Sequence, residues 1–172
     1  MSARPVTADV VHAILGVDDE SAIAKIRNKK PEQIEALQAY YLSIFDPETV
    51  SSDQFSVADR ALVAVRVASH SGSTAVVNWY AELAESSGAS ESDIDRARNV
   101  ATPWTDETEL GAAICRADRV TLEPASTESV HIEELAAAGL SPAAILSLSQ
   151  VIAFVSYQLR FVAILRAVGG LA

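Results

Sequence analysis

Apolar residues recur at three- and four-residue spacings along most of the chain. Sustained alternation appears nowhere, so the pattern predicts helices and no strands. Val10, Val11, Ile14 and Leu15 follow Thr7 and stop at Gly16, and a short segment with Ile23 and Ile26 follows Ser21. Pro31 stands at a first helical position and opens a run carrying Ile34, Leu37, Tyr41, Leu42 and Phe45, which Asp46-Pro47 ends. Residues 48–55 read as a polar connection. Ser56 with Asp59 has the form of a capping box and opens an apolar helix that runs to the break Ser71-Gly72-Ser73-Thr74. The next helix has Val76, Tyr80 and Leu83 on its inward stripe and Asn78, Glu82 and Glu85 on its outward one. Ser90 with Asp93 repeats the capping device. Thr102-Pro103 and Thr105-Asp106 both read as helix starts, feeding Leu110, Ile114, Ala117 and Val120. A Pro/Ser/Thr connection spans 122–129, a segment from His131 ends at Gly139, and Ser141-Pro142 caps a final helix reaching about Val168. The expectation is an all-α fold of about eight helices in a single domain over 1–172. Its N-terminal helices occupy 1–54 and its core 55–168.

Composition narrows the function classes. A chain of 172 residues, 49% hydrophobic, is long enough for one sizeable core. Only 7 Gly and 6 Pro are present, and the prolines fall between periodic segments. The net charge is −10, with 13 Lys and Arg against 23 Asp and Glu. Phosphate binding needs a basic surface, so nucleic acid is disfavoured as a partner, and so is an anionic membrane. The single cysteine, Cys115, rules out an intrachain disulfide. No long apolar run follows Arg4, so no signal peptide is read and a cytoplasmic location is expected. Residues 151–165 (VIAFVSYQLRFVAIL) are apolar apart from Ser156, Gln158 and Arg160. A spanning helix needs roughly 20 apolar residues and avoids a central charge. Arg160 and Arg166 therefore favour a core helix, or one buried by a partner subunit, over a membrane span.

The order of segments from Ser56 to Asp95 carries a family likeness. An apolar helix, the Ser-Gly-Ser-Thr break, an amphipathic helix and the restart Gly88-Ala89-Ser90 follow one another. That layout resembles the core of the alkylhydroperoxidase D (AhpD) and carboxymuconolactone decarboxylase (CMD) superfamily. The closing stretch LAAAGLSPAAILSLSQVIAFVSYQLRFV is similar to the end of its peroxidase-related branch. The resemblance covers roughly 55–168. In the peroxidases a Cys-x-x-Cys-x-x-x-His motif opens the second core helix. Ser73, Val76 and Tyr80 stand at those positions here, and Ala61 stands where the family carries a glutamate. The likeness is closest to CMD-domain proteins that lack the cysteines. It implies an all-α fold and a homo-oligomer, from dimer to hexamer. It also implies a thiol peroxidase site that has lost its chemistry.

That loss is physical. Residues 73, 76 and 80 share one helix face, but a hydroxyl undergoes no reversible two-electron oxidation and Val76 is inert. Cys115 reads as a small core residue. The turn itself offers two readings. His70, Gly72, Ser73 and the free amides beside them can hold a carboxylate or other anion. The commoner arrangement is a helix break capped by Ser73, with His70 at a C-terminal dipole. Asp59 and Arg66 point the same way two turns apart, as a solvated edge or as part of a polar pocket. Tyr80 reads as core with its hydroxyl tied down, or as facing a substrate. Arg160 either fixes an acidic ligand or pairs across a subunit boundary. The candidate catalytic residues are accordingly His70, Ser73 and Tyr80, and the candidate ligand-binding residues Gly72, Asp59, Arg66 and Arg160. His12 and His131 are isolated, and no metal-ligand spacing or glycine-rich dinucleotide motif occurs, so no metal and no cofactor are expected. Two functions fit: a non-redox enzyme acting on a small organic acid or lactone, and a non-catalytic binding or accessory protein. A peroxidase using Cys115 alone is a third.

Overall fold

A computed structural model describes residues 9–49 and 55–170. Among them the chain forms nine α-helices, one short 3₁₀ turn and no strands. In order these are α1 (Val10–Leu15), α2 (Ala22–Arg27), α3 (Pro31–Phe45), α4 (Val57–Ser71) and α5 (Thr74–Ser86). They continue with α6 (Glu91–Arg98), α7 (Glu109–Leu122), the turn Pro124–Ser126, α8 (Val130–Ala137) and α9 (Pro142–Gly169). The all-α expectation holds, with one helix more than expected.

Helix α4 is the axis of the fold. Every residue from Arg60 to Ala68 is buried, because α3, α5, α6, α7 and α9 all pack against it. Each fully buried Val or Leu there contributes about 1.5–3 kcal/mol relative to exposure. Its two arginines need internal partners. The Arg60 guanidinium donates to the carbonyls of Phe55 and Ile44 (2.9 and 2.8 Å) and to Ser147 Oγ (3.2 Å), which ties α4 to the end of α3 and to α9.

The caps explain where helices begin. The hydroxyls of Ser21, Ser56, Ser90 and Ser141 each accept an amide of their own first turn. Two starts differ from expectation. Helix α1 is capped by the Asp9 carboxylate, which accepts from the amides of Val11 and His12, whereas Thr7 lies outside the described residues. Helix α7 begins after Thr108, not at Thr102 or Thr105. The intervening loop is held in place by tertiary bonds: Trp104 is buried, Arg96 pairs with Asp106, and the Asn99 and Thr102 carbonyls accept from Arg66.

Helix α9 is not apolar-buried all round. It is long and apolar enough to cross a membrane (mean hydropathy 1.7), yet only 39% of its apolar window is buried. One face packs on α4 through Leu148, Val151 and Val155, while Leu146, Tyr157 and Ile164 stay exposed.

An aromatic cluster closes the core between α3, α5 and α9. Tyr41, Phe45 and Phe154 pack at tilted angles, Phe45 also against Tyr80, and Tyr40 meets Phe154 edge to face. Burial pushes the Tyr41 phenol up to about 12, partly offset by the Trp79 indole N–H that its oxygen accepts, and pushes Tyr80 well above its usual value. In the unfolded chain both phenols ionise near 10. Between those limits the folded state binds more protons than the unfolded state, so stability falls as pH rises. Urea titrations are expected to show a loss beginning above about pH 10, with about 2–3 kcal/mol attributable to Tyr41 by pH 12. Tyr41→Phe should flatten that decline.

Candidate functional site

The break between α4 and α5 turns on Gly72, which adopts φ 70°, a left-handed conformation that L side chains rarely take. The turn is as the sequence predicts, but its cap is not. Ser73 precedes α5 with ψ 87°, short of the extended value near 150–160° seen at Ser56, Ser90 and Ser141. Its side chain makes no capping bond, so the first amides of α5 have no side-chain partner from it.

Around this turn the polar groups converge on one carboxylate, Asp118 of α7. Arg66, only 2% exposed, meets it with both arms of its fork: Nε to Oδ1 at 2.7 Å and the terminal nitrogen to Oδ2 at 2.8 Å. The remaining donors reach the Asn99 and Thr102 carbonyls at 2.8 and 3.2 Å. His70, one turn beyond Arg66 on α4, places Nε2 at 2.6 Å from Asp118 Oδ1. A carboxylate accepts only, so Nε2 carries the hydrogen and donates, which leaves Nδ1 as the ring's other nitrogen. The arrangement is an imidazole oriented by a carboxylate, which is itself held by a buried arginine. Chemically it can hold or relay a proton at His70.

Asp118 went unremarked in the sequence because it sits 52 residues from Arg66, on a helix whose period marks only an inward face. The nearest signal was the requirement that a buried Arg66 find an anion. Of the two readings of Arg66, the solvated edge is corrected: α4 is enclosed on all sides and Arg66 is bonded inside it. Asp59 does not join it. Its carboxylate accepts from Ser56 Oγ at 2.6 Å at the start of the helix.

Of residues 73, 76 and 80, which share one face of α5, the last two are packed inside. Val76 and Tyr80 are both 0% exposed. The Tyr80 hydroxyl donates to Gln158 Oε1 at 2.7 Å, as the tied-down reading predicts. Gln158, not Arg160, is therefore the inward polar residue in this part of α9. Two residues along a helix turn it by about 200°, and Arg160 lies on the exposed side. The structure thus brings His70 and Arg66 together with Asp118, keeps Gly72 and Ser73 beside them at the surface, and leaves Tyr80, Asp59 and Arg160 elsewhere.

Cys115 is exposed, not core as expected. It lies on α7 one turn before Asp118, at the edge of a cleft of about 470 Å³ lined also by Trp104, Asp106, Thr108 and Ala137. The loop 99–108 approaches α7 closely because Gly111 has no side chain: a Cβ there would lie 2.1 Å from the Asp106 carbonyl oxygen. That approach brings the Trp104 carbonyl to 3.0 Å from Cys115 Sγ, and the thiol donates to it. Partial burial pushes the Cys115 thiol up, and the nearby Asp118 charge adds to the effect, the opposite of what an activated thiolate needs. Among the described residues no cluster of His, Cys, Asp and Glu has metal-site geometry.

Two measurements test this geometry. Asp118→Asn strands the buried Arg66 charge and should lower stability by roughly 2–4 kcal/mol in urea denaturation, whereas His70→Ala should cost less than half as much. Alkylation of Cys115 by iodoacetamide should be slower at pH 7 than for a free cysteine. Its rate should keep climbing past the pH at which free cysteine levels off. Compared with known proteins, the chain matches no family model and no curated sequence, so the use of this site must be argued from its own residues.

Proposed function

We propose that this chain is an AhpD- and CMD-like scaffold protein that works by binding rather than by thiol chemistry. The observation that carries the reading is the filling of two of the three positions that match the family's motif, with a serine, Ser73, at the third. Val76 and Tyr80 are sealed into the core, and the Tyr80 hydroxyl is spent on Gln158. A reactive centre needs a nucleophile that substrate can reach and an environment that activates it. Val76 offers no nucleophile. A phenol pushed well above its usual range by burial stays protonated at neutral pH. The exposed thiol, Cys115, is deactivated by its surroundings.

A second reading has one observation in its favour. The His70–Asp118 pair, with Ser73 and the Gly72 turn next to it, has the orientation of a base and its orienting carboxylate. On that reading the protein is a non-redox enzyme acting on a small organic acid or lactone, with His70 as the proton carrier.

Turnover distinguishes the two. Purified protein incubated with hydroperoxide and a dithiol, and separately with lactones and small carboxylic acids, should consume none of them faster than a heat-killed control. Consumption that His70→Ala abolishes would overturn the binding reading in favour of the enzyme. The family relation has its own test. In a Cys115→Ser background, Ser73→Cys with Val76→Cys should lose two titratable thiols on mild oxidation, as the spacing of a resolving pair requires. Two thiols that persist would sink the relation.

A further inference from the structure

Helix α9 has a second face that the chain itself does not cover. Leu146, Gln150, Ala153, Tyr157, Arg160 and Ile164 are all exposed, and their spacing is four, three, four, three, four. That alternation is the seam of a helix that packs against another helix. The apolar members are large and well exposed: Leu146 is 61%, Tyr157 50% and Ile164 60% accessible. Large exposed apolar side chains aligned in this way, with Gln150 and Arg160 set between them, mark an interaction face.

The stripe is its own complement when reversed. Positions 146 and 164, 150 and 160, and 153 and 157 are each placed symmetrically about residue 155. We infer that a second copy of this chain covers the face, with the two α9 helices antiparallel about a two-fold axis at the level of Val155. Leu146 then packs on Ile164 of the partner subunit. Small Ala153 faces bulky Tyr157 of the partner subunit, so the volumes interlock. The Gln150 side-chain carbonyl accepts from the guanidinium of the partner subunit's Arg160. Each contact occurs twice, as a two-fold interface requires.

Charge selects this direction over the parallel one. Helix α9 carries Arg160 and Arg166 and no acidic residue. A parallel pair sets the two Arg160 side chains against each other across the seam. The antiparallel pair separates them by ten residues, about 15 Å, beyond the roughly 8 Å screening length of physiological salt. Size is adequate too. A helix of 28 residues is about 42 Å long. The groove between α3 and α9, about 660 Å³ and lined by Tyr40, Ala153 and Tyr157, borders the seam. It widens the contact toward the roughly 800 Å² per partner of a standard interface. A bilayer is a poorer occupant, because Arg160 stands within the stripe.

Sedimentation equilibrium of the intact protein is expected to give a dimer, twice the 18.2 kDa chain mass. Ala153→Glu places two carboxylates beside the axis and should weaken the dimer at least a hundredfold while the far-ultraviolet spectrum stays helical. Gln150→Glu faces the partner's Arg160 and should tighten it several-fold. In a Cys115→Ser background, Leu146→Cys with Ile164→Cys should link chains through a short bis-maleimide. Leu146→Cys alone should not, because the two copies of that residue lie roughly 27 Å apart. A monomer at high concentration, a monomer that floats with anionic phospholipid vesicles, a dimer indifferent to Ala153→Glu, or efficient linking through Leu146→Cys alone would each overturn the inference.

Discussion

The guanidinium of Arg66 is buried between α4, α7 and the loop after α6, and its neutralisation is the constraint around which the central packing is arranged. An uncompensated charge at that depth costs several kcal/mol, comparable with the whole stability of a domain. Asp118 must therefore lie opposite, which fixes the rotation of α7 against α4. The donors that Asp118 does not use must also be satisfied, which fixes the loop 99–102, whose carbonyls they reach. Two elements are positioned by one side chain. His70 shares the same carboxylate, so the orientation of the only titratable ring near the Gly72 turn follows from the ion pair beneath it.

This dependence explains which parts of the structure were legible in the sequence. Local chemistry read correctly. Serine caps at Ser21, Ser56, Ser90 and Ser141, the proline starts of α3 and α9, and the left-handed Gly72 all follow from interactions within four residues. Tyr80 with its tied hydroxyl also followed, because the 76–80–83 stripe identifies an inward face and a buried phenol requires a partner. Ser73, which makes no capping bond, is the one local misreading; the others involve partners distant in sequence. Thr102 and Thr105 look like caps, yet the segment between them is held by Arg66 and Arg96 and cannot coil. Cys115 has an apolar neighbourhood in sequence, but the loop passing over α7 at Gly111 makes its position a cleft edge. Periodicity reports which face of a helix turns inward and is silent on what meets it there.

The inward stripe of α5 ties it to its neighbours. Val76 is fully enclosed, and Tyr80 packs on Phe45 and donates to Gln158. Tyr80 thus joins α5 to α3 and α9. On the side of α4 that faces α7, the polar groups joined near the turn are Arg66, His70 and Asp118.

Helix α9 shows the complementary problem. Its inward face is buried, with Leu148, Val151 and Val155 in the core and Gln158 Oε1 accepting from Tyr80 of α5. The outer face is apolar without an internal reason. A helix needs one buried stripe to be held on a domain, and additional exposed leucine, tyrosine and isoleucine raise the tendency to associate without adding to that hold. A protein of net charge −10 resists indiscriminate association through self-repulsion. The pairing inferred for α9 must therefore be specific enough to overcome that repulsion. Register supplies the specificity: volumes alternate along the stripe, and the one charged residue within it is placed where reversal finds a carbonyl acceptor. A seam that merely exposed apolar area would not set small Ala153 opposite bulky Tyr157, and Gln150 opposite Arg160, when it is reversed.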